Sequence, residues 1–366
     1  MTVRKITATV RKLDNTTLRT SYGSNVTQRE HIFVAVEDDE GTIGFGEGSP
    51  LPHFSGERAV EMVGIIRDVL GPALIGLDPF DTERAVHALD KAMPHHSASK
   101  AALINAMFDL QGKLLGQPAN VLLGGRNQSR IPMAGAVGID DEGEVIARVT
   151  ALWDQGIRTV KFKVGGDVDR DIRLIERLRD TFPAELNIRA DANAGFTFTE
   201  AFRFLRAIEP YRLQYFEQPL PSEDWRGLAR LRDLGTPIAV DESLYGLKDA
   251  LGLIRAEAAD VFIIKLIKLG GLHQARKVVG LAEAAGVACV VVSPYETSLG
   301  VAANLHLAAS SRAFPYAAEL GTGVSAVSFP GIDKLESEGG FTPVPSGPGL
   351  GVGIAQSVVS SDREAC

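Results

Sequence analysis

Five short polar phrases recur at nearly even intervals in the middle of this chain, and they restrict its fold more than any other feature. They are Lys161-Phe162-Lys163, Asp191-Ala192-Asn193, Phe216-Glu217-Gln218-Pro219, Asp241-Glu242-Ser243 and Ile264-Lys265-Leu266. The spacings between Lys163, Asp191, Glu217, Asp241 and Lys265 are 28, 26, 24 and 24 residues. Each is about the length of one strand, one helix and two short loops. Each phrase also closes an apolar, strand-like run. Lysine, three carboxylates and lysine are therefore expected at the C-terminal ends of five successive parallel strands, which in a (β/α)₈ barrel is the catalytic face.

The rest of the chain fits that frame. Residues 3–11, 31–37 and 42–47 read as an antiparallel meander with Asp38-Asp39-Glu40-Gly41 as its turn. Helical periodicity follows near 56–70, 80–92 and 98–115, so the first 125 residues read as an α+β capping domain. From Ile131, strands near 131–138, 159–164, 187–191, 213–217, 237–241, 261–266, 288–293 and 315–320 alternate with seven helices. Those helices are expected near 142–155, 168–181, 199–208, 223–233, 247–257, 271–285 and 298–309. This gives a (β/α)7β-type modified TIM barrel over 126–340. A doubly wound sheet is the alternative, but only a closed ring lets all five charged strand ends converge. The Gly- and Pro-rich tail, 341–366, is expected to run back onto the capping domain. Leu18–Gln28 and Ser49–Ser55 read as loops of that domain that would cover a substrate if it packs over the barrel mouth.

Composition narrows the function classes. A formal net charge of −8 argues against a general nucleic-acid surface, and no apolar run is long enough to span a membrane. Only two cysteines occur, Cys289 in an apolar run and Cys366 at the end, so no disulfide framework is expected. The N-terminus leads directly into a strand, and a cytoplasmic setting is expected. The sequons at Asn15, Asn25 and Asn127 carry little meaning in that compartment.

Asp191, Glu217 and Asp241 form a three-carboxylate set suited to a hard cation such as Mg²⁺, with Glu242 competing for the third position. Adjacent strand residues point opposite ways, so Glu242 is the better candidate for a supporting contact. Lys161 and Lys163 leave the same strand face while Phe162 points to the helix layer. Mutual repulsion between the two ammonium groups is expected to lower the pKa of at least one and make it a usable base. Lys265 arrives from the opposite side of the mouth, and Lys268 is expected in the following loop, contributing charge. A cation facing two opposed lysines suits abstraction of the proton α to a substrate carboxylate through an enediolate. Collapse then returns a proton on the other face, expels a β-leaving group or opens a lactone.

These phrases, with Gly270-Gly271 after Lys265, resemble the enolase superfamily, in particular its muconate lactonizing enzyme subgroup, and the resemblance runs over nearly the whole chain. It implies Mg²⁺ or Mn²⁺ at Asp191, Glu217 and Asp241, with Lys163 and Lys265 as the acid/base pair. Glu296, in Pro294-Tyr295-Glu296-Thr297, resembles a strand-seven-end glutamate of that subgroup. No histidine stands there, so the mandelate racemase subgroup fits poorly. Dipeptide epimerases of the subgroup carry Asp-x-Asp after strand eight, where this chain has Glu319-Leu320-Gly321-Thr322. The Glu319-Leu320 pair is closer to cycloisomerases. A muconate-type cycloisomerase is therefore the first expectation, ahead of a racemase or epimerase of an amino acid derivative, or a dehydratase such as a succinylbenzoate synthase. The expected partner is a small carboxylate, and the expected assembly a homo-oligomer.

Other features carry less. Asn193 and Glu242 read as supporting residues, His95-His96 as a solvated loop, His306 as a packed residue, and Gly165-Gly166 as a turn. A non-catalytic binding protein and a Schiff-base aldolase are the contrasting hypotheses; stripping Mg²⁺ and borohydride trapping would expose them.

Overall fold

The structure is a computed structural model that describes residues 1–14, 28–321 and 328–360. Most of the Leu18–Gln28 loop, the sequons at Asn15 and Asn25, Thr322 and Cys366 lie outside the described residues.

The chain begins with an antiparallel sheet of β1 (Val3–Asp14), β2 (Gln28–Asp38) and β3 (Ile43–Gly48), with β2 in the centre and largely buried. A one-turn helix α1 (Pro52–Ser55) follows within what the sequence suggested was loop. Then come α2 (Ala59–Ile65), extended by a π-helical turn, α3 (Gly71–Leu74), α4 (Thr82–Ala92) and α5 (Ser97–Leu115). Helix α5 is buried from Ala98 to Gly112 because it is sandwiched between this sheet and the second half of the chain. Gly44 and Gly46 let β3 lie directly on it: a Cβ at Gly46 would fall 2.0 Å from the Ala102 carbonyl oxygen. Any larger residue there would push the sheet off the helix.

The predicted first barrel strand is split. β4 (Arg130–Pro132) pairs antiparallel with the tail strand, whereas β5 (Gly135–Val137) enters the parallel sheet. From there strands and helices alternate: α6 (Glu142–Asp154), β6 (Thr159–Lys163), α7 (Val168–Thr181), β7 (Asn187–Asp191), α8 (Phe198–Ile208), β8 (Tyr215–Glu217), α9 (Trp225–Arg232), β9 (Ile238–Val240). The series continues with α10 (Leu247–Arg255), β10 (Val261–Ile264), α11 (Leu266–Leu269), α12 (Leu272–Ala285), β11 (Ala288–Val291) and α13 (Ser298–Ala309). The seven strands β5 to β11 lie side by side in chain order.

The eighth strand expected near 315–320 is reduced to two residues. Ala318 bridges Met133 and Glu319 bridges Val292, so this short piece joins the two edges and closes the ring. Interior and exterior alternate along the strands as pleating requires. Tyr215, Ala239, Val261, Ile263, Val290 and Val292 form a separate apolar cluster, while Phe162, Phe216, Val240, Phe262 and Ile264 join the large core beneath the helices. The tail strand β12 (Phe341–Pro343) pairs with β4. Farther on, the Leu350 N–H donates to Asp109 of α5 at 2.7 Å, and Arg11 of β1 donates to the carbonyls of Ser357 and Val358. Among the described residues, no helix is long and apolar enough to cross a membrane.

Candidate active site at the carboxyl ends of the barrel strands

Lys161 and Lys163 end β6, Asp191 ends β7 and Glu217 ends β8. Asp241 is the first residue beyond β9, and Lys265 the first beyond β10. In the closed ring, β7, β8 and β9 separate β6 from β10 on one side. On the other side lie β11, the 318–319 closing piece and β5. The two lysine-bearing strands are therefore diametrically opposed, with the three carboxylate-bearing strands between them.

The polar side chains form two linked sets, one around Asp191 and one around Asp241. Lys163 Nζ donates to Asp191 Oδ2 at 2.5 Å and to Asn193 Oδ1 at 2.9 Å, and Asn193 Nδ2 donates to Glu242 Oε1 at 3.2 Å. Across the mouth, Lys265 donates to Asp241 Oδ2, and its ammonium lies 4.2 Å from the centre of the Phe54 ring. Phe54 belongs to α1, so the N-terminal layer reaches the mouth through the 49–55 stretch. Burial opposes the charge of Asp191 and of Asp241. In each case two lysines prevail and hold the carboxyl below its usual range: Lys161 and Lys163 for Asp191, Lys265 and Lys268 for Asp241.

Two lysines differ from the expectations drawn from sequence. Lys161 was expected to have its pKa lowered, or to lower its neighbour's, by ammonium repulsion. Instead its Nζ sits 2.7 Å from Glu217, 2.8 Å from Glu319 and 3.0 Å from Asp191. Burial works against its charge, but the three carboxylates outweigh that and push the pKa well above the ordinary lysine value. Lys268 is not in a loop. It lies in α11, fully buried, with its ammonium 2.5 Å from Asp241 Oδ1, and burial lowers its pKa.

Glu296, the glutamate after the seventh strand, stands apart from these two sets. Its Oε2 accepts from Asn304 Nδ2 at 3.0 Å and its side chain packs on Gly300, where a Cβ would come within 2.7 Å. Among the described residues it makes no hydrogen bond to the lysines or the three carboxylates. Burial and the neighbouring Glu47 push its pKa up to about 8.

Several contributors escaped the sequence reading. Arg189 stands two residues before Asp191 on the same inward strand face and is fully buried. Its Nη1 donates to Glu319 Oε1 at 2.9 Å, its Nε donates to Gln214 Oε1 at 2.7 Å, and the Tyr215 hydroxyl donates to Glu319 at 2.8 Å. Glu319 is thus gripped from below and steers Lys161. Gln218 accepts at Oε1 from the backbone N–H groups of Asp241 and Ser243, at 3.0 and 3.2 Å, fixing the loop that carries Asp241. Its φ of 35° lies in the left-handed region, as do those of Asn193 and Ala194. Such strain on non-glycine residues persists only where surrounding bonds over-determine it. The signal for Arg189 and Tyr215 was the two-residue alternation; for Gln218 it was the phrase Glu217-Gln218-Pro219 itself.

The donor chemistry suits a divalent cation. Glu217 is fully buried, and burial together with Asp191, Glu319 and Asp241 drives its pKa well above the usual value despite Lys161. Crowded buried carboxylates of this kind are what a hard, doubly charged ion relieves. Among the described residues, the side chains are not gathered as tightly as a bound ion would hold them, since ammonium groups lie between them.

Comparison with known proteins agrees with this geometry. Residues 5–124 match the family described as mandelate racemase/muconate lactonizing enzyme, N-terminal domain, and residues 144–358 match the enolase C-terminal domain-like family. The chain is 33% identical to a hydrophobic dipeptide epimerase of Enterococcus faecalis, over 77% of this chain and 80% of that protein. A crystal structure of the E. faecalis dipeptide epimerase, complexed with Mg and the dipeptide L-Leu-L-Tyr, superposes with a TM-score of 0.91 at 29% identity, covering 96% and 100% of the two chains. The chain is also 33% identical to an N-succinyl-L-Arg/Lys racemase of Bacillus cereus, over 80% of this chain and 79% of that protein. The crystal structure of N-succinyl Arg/Lys racemase from that organism gives a TM-score of 0.93 at 30% identity, covering 98% and 97%. A chloromuconate cycloisomerase of Pseudomonas putida is 32% identical over 86% of both chains.

Proposed function

From the premise that this chain belongs to the mandelate racemase/muconate lactonizing enzyme family and is an isomerase of the enolase superfamily, we propose that it racemises or epimerises a carboxylate-bearing amino acid derivative by a two-lysine proton transfer. The observation that carries this reading is the placement of Lys163 and Lys265 on diametrically opposed strands. A planar intermediate held between them exposes one face to each. Exchange of the proton from one face to the other needs two such groups, whereas ring closure of a muconate needs one. The names of the two relatives at 33% identity point the same way. This reverses the order expected from the Glu319-Leu320 pair.

Asp191, Glu217 and Asp241 would hold Mg²⁺, as the complexed relative does. When bound, the cation supplies positive charge to the substrate carboxylate and makes the α-proton more acidic. The chain's own residues do the rest. Lys163 removes the α-proton from one face and Lys265 donates a proton to the other, with the roles exchanged in the reverse direction. Lys161, steered by Glu319 and Arg189, adds positive charge where the substrate carboxylate gains electron density. Asn193 and Phe54 restrict the two ammonium groups from either side, and Phe54 excludes water from the Lys265 face.

The test is proton NMR and polarimetry in deuterated water with Mg²⁺, using N-succinyl amino acids and dipeptides. Loss of the α-proton signal together with loss of optical purity is expected. Lactone formation from cis,cis-muconate, with no α-exchange in any amino acid derivative, would reject the racemase reading in favour of cycloisomerisation, which the 32% identity to the chloromuconate enzyme keeps as the second reading.

A further inference from the structure

Arg29 stands at the start of β2, one register step from the end of the hairpin, opposite Leu13. Along a strand, residues two apart share a face, so Arg29 faces the same way as His31. His31 lies against Glu47 and Ser49, and the Ser49 hydroxyl donates to the Pro294 carbonyl at 2.9 Å. That face of β2 is therefore pressed against the loop between β11 and α13. The loop leaves the carboxyl end of β11, the end of the barrel at which Lys163, Asp191, Glu217, Asp241 and Lys265 stand.

In this position the Arg29 guanidinium lies 4.3 Å from the centre of the Tyr295 ring. A ring satisfies only the flat face of a guanidinium; the five N–H donors radiate in its plane and need acceptors of their own. Arg29 has none. Its Nε is buried without a hydrogen-bond partner, and among the described residues its side chain forms no ion pair. Burial also lowers its pKa, with only Tyr295 opposing. Every lysine of the catalytic set has a carboxylate within reach, so this is a cation of a different kind. A largely desolvated guanidinium with an unused in-plane donor is costly to keep unless something anionic arrives to use it.

We infer that Arg29 binds a second anionic group of the substrate, a carboxylate distant from the one that would lie at the Asp191–Glu217–Asp241 set. The substrates are then acidic derivatives, with the extra carboxylate on the acyl chain or on the amino acid side chain, rather than neutral acyl amino acids. A planar carboxylate matches the fork of the guanidinium with two parallel hydrogen bonds. Tyr295 fixes the plane of that fork by stacking on it. The inference rests on the proposed two-lysine reaction for its assay but not for its geometry.

The experiment compares N-succinyl-L-leucine, N-acetyl-L-glutamate and neutral N-acetyl-L-leucine, following α-proton exchange in deuterated water with Mg²⁺ for the native protein, Arg29→Met and Arg29→Lys. The native enzyme should prefer at least one acidic compound over N-acetyl-L-leucine in kcat/KM. Arg29→Met should reduce that preference about 10- to 100-fold, mainly through KM, and Arg29→Lys should restore part of it. Whichever acidic compound shows the drop reports where the second carboxylate sits. An equal loss on all three compounds would mean a structural role for Arg29 and overturn the inference, as would an unchanged preference. If the native enzyme exchanges none of them, the racemase reading fails, and calorimetric titration of the same three compounds decides the role of Arg29. Tighter binding of the acidic ones that disappears in Arg29→Met upholds it, and equal binding of all three overturns it.

Discussion

Two groups of buried carboxylates stand at the same end of the barrel and are stabilised in opposite ways. Between β6 and β10, Asp191, Glu217, Asp241 and Glu319 are interleaved with Lys161, Lys163, Lys265, Lys268 and Arg189. Cations answer the charge there, and Asp191 and Asp241 stay ionised. At the β11–α13 corner, Glu47 and Glu296 lie together and, among the described residues, no lysine or arginine pairs with either. Glu47 survives by accepting from the start of α13: from Thr297 N–H at 2.9 Å, Thr297 Oγ1 at 2.6 Å and Gly300 N–H at 3.0 Å, with His31 Nδ1 2.6 Å away. A carboxylate suits the positive end of a helix. Glu296 accepts from the Asn304 side chain, and burial beside Glu47 pushes its pKa up to about 8. The first group is arranged for charge to change hands; the second clamps the N-terminal sheet onto the barrel.

That contrast can be broken from either side. The largest effect is expected at the cation-answered cluster. Asp191→Asn removes an oxygen donor and leaves Lys161 and Lys163 without their shared partner, so Mg²⁺ affinity measured by calorimetry should fall roughly 100-fold. Unchanged affinity would remove Asp191 from the ion's ligands. Glu47→Ala should act on stability instead: it strands donors of Thr297, Gly300 and His31, costing roughly 3 kcal/mol in denaturant unfolding. A normal midpoint would refute the clamp. Glu319→Gln weakens the hold on Lys161 and should reduce turnover about tenfold with little change in stability.

A further break in the contrast concerns pH. Glu296 binds its proton more tightly in the folded chain, at about 8, than in an unfolded chain, where 4.5 is ordinary. Its contribution to stability is therefore complete below pH 4.5, declines as the pH rises, and is lost above 8. Glu296→Gln should flatten the stability profile between those limits. An identical profile in the variant would show that Glu296 titrates normally.

The two groups were unequally legible from sequence. The inward-facing strand ends announce themselves through even spacing, because the barrel repeats one strand and one helix per turn of the chain. Helix bounds came through for the same reason: the ranges 168–181 and 298–309 are those of α7 and α13. Strand partners did not. The alternation at 131–138 cannot reveal that Ile131 pairs with the tail while Ala136 pairs with Lys161. Nor can it reveal that only Ala318 and Glu319 serve as the eighth strand. The turning of Glu296 onto Gly300 and Asn304, and of Arg29 onto Tyr295, depends on loop paths that have no period. Lys268 was misplaced because the one-turn helix α11 is too short to show one.

The central claim is that Lys163 and Lys265 serve opposite faces of one substrate. The most direct measurement is α-proton exchange in deuterated water on each separate stereoisomer, with Lys163→Ala and Lys265→Ala. Each variant should lose racemisation by 10²-fold or more, and each should keep exchange with one stereoisomer, a different one for each variant. Exchange of the same stereoisomer by both variants, or undiminished racemisation by either, would contradict the account.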